Sequence, residues 1–138
     1  MAATLHLEIV TPESRAYSDD VEFVVLPAVE GEMGVYPMHV PLITSIKPGE
    51  LVVTKGSTIT HLAVGEGFVE VTAEKVSVLV DMAMTEEAID EKAAEEAVKR
   101  AEARLKDQIL GDEEAAMVQA AIARSLAQLH VKRRKRGG

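Results

Sequence analysis

Histidines and carboxylates are the groups in this 138-residue chain that could perform acid–base or metal chemistry. The four histidines are His6, His39, His61 and His130. Their spacing matches no metal-binding pattern, and the chain has no cysteine that could serve as a thiolate ligand or a nucleophile. The sequence therefore predicts no metal site, and His39 stands out only because prolines flank it in the segment YPMHVP.

Adjacent acidic residues occur at 86–87, 95–96 and 113–114. These positions lie at predicted helix starts or on a predicted solvated helix face, where carboxylates are favourable without any catalytic role. The chain also lacks a Walker-type phosphate loop and a dinucleotide-binding glycine pattern. We therefore expect neither catalytic residues nor a bound cofactor.

Charge divides the chain into two parts. The net charge is −8, and residues 1–84 account for all of it, with four basic and twelve acidic side chains. Residues 85–138 carry eleven of each sign, and five of these cations are in the terminal segment VKRRKRGG. This asymmetry predicts two parts with different roles. An alternative role for the tail is nucleic-acid binding, since a short basic cluster binds phosphate, but the acidic body and the lack of a nearby aromatic side chain oppose it.

Residues 1–84 have the pattern of a β domain. Short segments rich in β-branched residues are separated by turn residues, and valines alternate with other residues in the segment KVSVLV. Many short strands at this spacing predict an antiparallel β-sandwich or flattened barrel. Some strands, such as VEFVVLP, carry apolar residues on both faces. The outward residues are either covered by neighbouring loops or form a docking surface for a partner.

The pattern becomes helical at Thr85. Thr85 is predicted to cap a first helix with Glu86 and Glu87 in its first turn, and alanines then recur at four-residue spacing. Gly111 is predicted to end this helix, and Asp112 to start a second one. A connection this short makes the two helices an antiparallel hairpin. Because alanine buries little area, the hairpin should be held weakly and be able to move.

The segment EGEMGVYPMHVPLITSIKPGEL, at residues 30–51, is the most distinctive stretch of the chain. It is similar to a segment of the epsilon subunit of F-type ATP synthases, in which a Gly-Glu-x-Gly loop precedes Pro-x-His-x-Pro-Leu and a Lys-Pro-Gly turn. LHLEIVTPES, VGEGFVEV and IDEKAAEEAVKRAEARL resemble that family in the same order, so the resemblance covers nearly the whole chain. Met38 and Glu66 depart from it, since relatives often have glycine at both positions.

The resemblance implies a β-sandwich of about ten strands at residues 1–84 and a regulatory helical hairpin at residues 85–138. It implies a non-catalytic rotor subunit of the central stalk, whose sandwich binds the gamma subunit and the c-ring. The hairpin would inhibit ATP hydrolysis by reaching the alpha/beta catalytic head. The expected location is peripheral, on the cytoplasmic face of a bacterial inner membrane or its organellar equivalent. The absence of a signal peptide and of a long apolar run agrees with this location.

The resemblance also implies interface residues. The segment GEMGVYPMHVPL would be a rigid docking loop, in which Glu32 and His39 contact the c-ring or gamma. Alternatively, His39 is bonded only to nearby backbone. Basic residues of the second helix would meet an acidic segment of the beta subunit. These cations are Arg124, Lys132, Arg133, Arg134, Lys135 and Arg136.

Some relatives bind ATP, and their first helix opens with Ile/Leu-Asp-x-x-Arg-Ala. Here the segment is IDEKAA, in which Asp90 is kept but Ala93 takes the arginine position. Arg124 keeps one basic position on the second helix, whereas Gln128 stands where ATP-binding relatives have another arginine. Asp90 and Arg124 are therefore weak nucleotide candidates, and a nucleotide-sensing protein is a disfavoured alternative. We expect Asp90 to be a first-turn helix acid and expect no ATP binding.

Overall fold

The computed structural model describes the backbone of residues 3–137 and the side chains of residues 3–134. Within this range, ten strands precede two helices. The strands are β1 (Leu5–Val10), β2 (Arg15–Val21), β3 (Phe23–Ala28), β4 (Gly31–Val35), β5 (Leu42–Ile46), β6 (Gly49–Lys55), β7 (Thr58–Val64), β8 (Gly67–Val71), β9 (Lys75–Val80) and β10 (Ala83–Thr85). A short 3-10 helix, Glu86–Ala88, leads to α1 (Glu91–Asp107), and α2 (Asp112–Gly137) follows.

The strands form one sheet that nearly closes on itself. Its order is β10-β7-β6-β3-β5-β8-β9-β1-β2, and β4 pairs with β3. The edge strand β2 returns to β6, where Lys55 donates a hydrogen bond to Asp19 at 2.6 Å and the Gly56 amide donates to Glu22. The predicted sandwich is confirmed. One pair, β1 with β9, is parallel, and the long connection that a parallel pair requires is here made of the intervening strands.

One apolar core fills the sandwich. The inward residues of the alternating strands are almost completely buried, including Val76, Val78 and Val80 of β9. Nearly all strands contribute valine, leucine or isoleucine to it. Full burial of such a side chain contributes about 1.5–3 kcal/mol relative to leaving it in water. The core therefore stabilises the sandwich independently of the helices.

The segment at residues 31–42 is only partly a loop, in contrast to the prediction. Its first five residues form β4, and the connection to β5 is limited to residues 36–41. Gly31 has a φ of 126°, as a glycine bend requires. Gly34 instead lies flat within β4, where a Cβ atom would be 2.9 Å from the Phe23 ring. This bare surface lets Phe23 lie against the strand and stack on Tyr36, with ring centroids 4.2 Å apart.

The first helix begins later than the sequence pattern predicts. Thr85 is the last residue of β10, and its side chain makes no capping hydrogen bond. It pairs with Leu62 of β7, a long-range contact that no local pattern reveals. Asp90 is the true N-cap of α1, since its carboxylate accepts a hydrogen bond from the Ala93 amide at 3.0 Å.

The helices form the predicted antiparallel hairpin. Ala94 and Val98 of α1 pack with Leu129 of α2, and half-buried Ile122 lies against them. The first helix ends with the main-chain bond from Gln108 to Arg104, before the predicted end at Gly111. None of the helices in the described range is long and apolar enough to cross a membrane.

The second helix lies on the outer face of the sandwich. Ala127 and Val131 of α2 are buried against Ala63 of β7 and Ile89, which follows the 3-10 helix. Ala63, Ala127 and Val131 are small, and half-buried Met82 and Met84 also pack against this cluster. The hairpin is therefore docked beside the sandwich in this structure.

Candidate functional site

The described side chains contain no group of three or more His, Cys, Asp or Glu residues that could hold a metal ion. Two of the histidines instead lie beside single carboxylates. His6 Nδ1 lies 2.9 Å from Asp20 Oδ1, and His61 Nδ1 lies 3.2 Å from Glu50 Oε2. Functional residues must therefore be sought on exposed surfaces and at the contact between α2 and the sandwich.

The connection between β4 and β5 carries one of the two predicted docking residues. His39 lies in it, and its Nδ1–H donates to the Val40 carbonyl oxygen at 2.7 Å, which is the backbone-bonded arrangement. Glu32 is exposed and lies in β4, in register with Pro27 of β3. The structure thus places Glu32 on a strand and His39 on the adjoining loop. Their predicted contacts with partner subunits stay predictions.

Met38 has an uncommon backbone conformation. Its φ is 67°, in the left-handed region that glycine adopts without penalty. The Met38 amide donates to the Ala73 carbonyl at 2.8 Å, which fixes the loop, while 75% of the residue is exposed. Tyr36 and Val40 on either side are also exposed. Strain of this kind is characteristic of functional loops, and the loop displays an apolar tip that sequence reasoning missed.

A row of apolar side chains crosses the outer face of the sandwich. Phe68 of β8 is 48% exposed and lies opposite Leu79 of β9, which is aligned in turn with Val10 of β1. Ile43 of β5 is 67% exposed and lies diagonally across from Phe68 on the same face. We call these four residues the outer apolar row. Their alternation with buried Val69, Val78 and Ile9 is the sequence signal that could have identified them.

Two predicted interface cations make contacts within the chain. Arg124 of α2 donates from Nη1 to Oδ2 of Asp81 at 3.3 Å, and Asp81 follows β9. Lys132 donates from Nζ to the main-chain oxygen of Glu86 at 3.1 Å. Both contacts attach α2 to the sandwich or to the 3-10 helix that adjoins it. Arg124 is therefore paired with Asp81 and not with the other weak nucleotide candidate, Asp90.

Arg133 and Arg134 are also paired, but with different parts of the chain. Arg133 contacts Glu91 and Glu95 of α1, and its hydrogen bonds to these carboxylates raise the pKa of Arg133 above its usual value. Arg134 contacts Glu50 of β6 at 2.5 Å. The predicted interface cations Lys135 and Arg136 lie outside the described side chains.

The predicted nucleotide candidate Asp90 has a structural role in this conformation. Its carboxylate caps α1 through the Ala93 amide, which makes Asp90 an N-cap and not the expected first-turn acid. Ala93 itself is exposed and offers no charged group to a phosphate. The absence of ATP binding stays a prediction.

Comparisons with known proteins agree along the whole fold. The family description "ATP synthase, Delta/Epsilon chain, beta-sandwich domain" matches residues 4–86, and "ATP synthase, Delta/Epsilon chain, long alpha-helix domain" matches residues 87–133. "ATP synthase epsilon chain 2" of Syntrophotalea carbinolica is 41% identical over 131 residues, covering 95% of both chains. The epsilon chain of Dehalococcoides mccartyi is 41% identical over 134 residues, covering 97% of this chain and 96% of the relative.

Solved structures show the same fold. A chain in the Euglena gracilis mitochondrial ATP synthase structure, described as OSCP/F1/c-ring in rotational state 1, matches with a TM-score of 0.75 at 22% identity. That match covers 94% of this chain and 81% of the other. A chain from the central stalk and c-ring of the Tetrahymena thermophila enzyme matches with a TM-score of 0.58 at 12% identity, covering 95% and 98%.

Proposed function

Because this chain belongs to the ATP synthase delta/epsilon-chain family, as a non-catalytic epsilon-type subunit, we propose that it is a rotor subunit of the central stalk. It couples the catalytic head to the c-ring during proton-driven ATP synthesis, and its hairpin restrains ATP hydrolysis. The sandwich, residues 1–84, is the stalk-binding part, and residues 85–138 are the regulatory part. The subunit is held at the cytoplasmic face of the membrane through the assembled complex.

The outer apolar row is the observation that carries the stalk proposal. Ile43, Phe68 and Leu79 are exposed on the rigid sheet and contiguous with half-buried Val10. Apolar residues that meet across several strands are characteristic of a protein interface. We assign this row to binding of the gamma subunit, since a subunit that rotates with gamma must bind it through a surface that does not deform.

The loop at residues 36–41 is assigned to the c-ring. Met38 and the neighbouring Tyr36 and Val40 form an exposed tip, and His39 and Glu32 add polar groups next to it. A main-chain hydrogen bond from the Met38 amide to the Ala73 carbonyl holds the loop against the sandwich. A preorganised loop loses little entropy on docking.

The hairpin is assigned the regulatory role. Docked, it lies beside the sandwich; extended, its helices would reach the alpha/beta head and oppose rotation in the hydrolysis direction. Its cations Arg124, Lys132, Arg133 and Arg134 would then meet an acidic segment of the beta subunit, with Lys135 and Arg136 adding to the same charge. Such complementarity favours fast encounter and correct register.

Two variants test these roles separately in the assembled enzyme. Truncation after Asp90 keeps β10 and should leave gamma binding intact while raising ATP hydrolysis. Phe68→Asp should weaken gamma binding by about 10- to 100-fold, since it places a charge at the centre of an apolar contact. Ile59→Asp, at an exposed position of β7 away from the row, is the matched control and should bind normally. Unchanged hydrolysis after truncation would refute the inhibitory role, and normal gamma binding by Phe68→Asp would refute the assigned surface.

A further inference from the structure

The contact between α2 and the sandwich is charged at two separate points. Arg124 meets Asp81 at 3.3 Å, and ten residues further along α2, Arg134 meets Glu50 at 2.5 Å. The apolar contact between these points consists of Ala63, Ala127, Val131 and Ile89, with half-buried Met82 and Met84 packed against them. Along α2 the two ion pairs flank this apolar contact, and both attach the helix to the sandwich.

Asp81 is positioned by the backbone at Glu66, immediately before β8. Its Oδ1 accepts a hydrogen bond from the Glu66 amide at 3.0 Å, which leaves Oδ2 directed at Arg124. A methyl group at Gly65 would overlap Oδ1 and would also contact the Arg124 side chain. Gly65, the first glycine in VGEGFVEV, is therefore needed for this close approach and not for a turn conformation, since its φ is not positive. The bond to the Glu66 amide therefore holds Asp81 so that its Oδ2 atom faces Arg124 of α2.

Glu50 is more enclosed than the other carboxylates that meet α2. Its side chain is only 8% exposed, with Oε1 paired to Arg134 and Oε2 lying 3.2 Å from His61 Nδ1. A carboxylate so poorly hydrated depends on its partners for stabilisation. Arg134 is therefore held more firmly by Glu50 than an exposed surface pair would hold it.

We propose that Asp81–Arg124 and Glu50–Arg134 form a charge latch that keeps the hairpin docked and its cations masked. The same arginines cannot pair with these carboxylates and with an acidic partner segment at once. The strength of the latch therefore sets the fraction of subunits whose hairpin is undocked and free to meet the partner. An effect of this fraction on ATP hydrolysis rests on the proposed function, whereas the existence of the latch does not.

The latch predicts that loss of the sandwich carboxylates and loss of the α2 cations change the inhibition of ATP hydrolysis in opposite directions. Neutralising Lys132 to Arg136 should relieve inhibition, because the partner contact is lost. Neutralising the sandwich carboxylates instead frees the hairpin and should deepen inhibition. Glu95 supplies the internal control: it pairs with Arg133 across the two helices, so this contact holds the helices together and does not attach them to the sandwich.

Docking can be measured on the full isolated chain. The protein has no native cysteine, so Ser57→Cys in the β6–β7 turn and Gln119→Cys on α2, both at exposed positions, can carry a fluorophore pair for energy transfer. Salt should undock the hairpin by screening the ion pairs. At the salt concentration that undocks half of the molecules, Asp81→Asn should lower the docked-to-undocked ratio about threefold and Glu50→Gln about tenfold. Glu95→Gln should leave the distance distribution unchanged.

A double-mutant cycle separates the latch from general loosening. Glu50→Gln and Arg134→Gln together should cost no more than either alone, since each removes the same contact, and thermal unfolding of the sandwich should not change. The latch is overturned if the docked fraction is constant up to high salt in every variant, or if the two changes are additive. If the latch variants undock but hydrolysis by the assembled enzyme stays the same, the latch is supported and the inhibitory function fails.

Discussion

The sandwich and the hairpin bury apolar residues in different ways. The sandwich core is continuous, and its leucines, isoleucines and valines come from nearly all strands and are almost fully enclosed. On the two helices of the hairpin the buried side chains in the described range are mostly alanine and valine, and Leu129 is the largest of them. The same chain thus contains one part that is held by a continuous core and another that is held by small apolar clusters and ion pairs.

This difference indicates how a rotor subunit can be both rigid and regulated. A surface that transmits torque must not deform, and a continuous close-packed core provides that stiffness. A regulatory element must leave its resting position at a low energetic cost, which is possible when small apolar clusters and ion pairs hold it in place of a continuous core. The following predictions test whether the two parts are as independent as their packing indicates.

Proteolysis should show the largest contrast. Trypsin should cut first in α1, where Lys92, Lys99, Arg100, Arg104 and Lys106 are all exposed, and leave a stable fragment ending near residue 92. If local opening of the hairpin costs about 3 kcal/mol less than global unfolding, cleavage there should be roughly a hundredfold faster than in the sandwich. Mass spectrometry of timed digests measures this ratio. Degradation of the whole chain at one rate would contradict the two-part division.

Truncating a buried leucine should have the second-largest difference in effect, because it should destabilise the sandwich in one part of the chain and not in the other. Leu26→Ala empties a fully buried position of β3 and should lower the free energy of unfolding by about 2–5 kcal/mol. Leu129→Ala removes the same atoms from the hairpin cluster and should leave the unfolding of the sandwich nearly unchanged. Calorimetry of both variants provides the measurement. Equal losses of sandwich stability would mean that the hairpin is part of the same cooperative unit.

A smaller effect is expected at the strained loop. Met38→Gly removes the penalty of a side chain at positive φ, about 1–2 kcal/mol, while glycine loses about 0.5–1 kcal/mol more backbone entropy on folding. The net result should be a gain of up to about 1 kcal/mol in sandwich stability together with weaker c-ring docking. Chemical denaturation and a c-ring binding assay measure the two effects. A loss of stability would show that the φ of Met38 imposes no penalty.

The smallest effect concerns acid. A hydrogen bond from Lys75, with help from the nearby charge of Arg15, lowers the pKa of Glu8 on β1. Since the folded pKa is below the unfolded one, this carboxylate stabilises the sandwich above its ordinary pKa, and the contribution is lost as pH falls through the lowered value. Glu8→Gln should therefore flatten the pH dependence of unfolding in the acid range below the ordinary glutamate pKa. Glu70→Gln, at an exposed position of β8, should retain it.

Local patterns predicted the fold but not its long-range contacts. Valines alternating in β9 and the small-residue periodicity of the helices reflect burial within each element, so they can be read from neighbouring residues. Thr85 was misassigned because its partner, Leu62, is remote in sequence. The carboxylates that meet Arg124 and Arg134 are equally remote, so composition could identify the cations but not what they contact. No local pattern around Met38 predicts its left-handed backbone.

The parallel pairing of β1 with β9 also determines the order in which the chain can fold during synthesis. His6 is aligned with Lys75, 69 positions later in the sequence, so the first strand made must wait for almost the last strand of the sandwich. Such distant contacts slow folding because loop-closure entropy must be overcome first. The edge of β1 that faces away from β2 is exposed during this interval, when nascent chains are vulnerable to misassociation. Since the hairpin follows β9, it emerges from the ribosome only after the sandwich has the residues it needs to close.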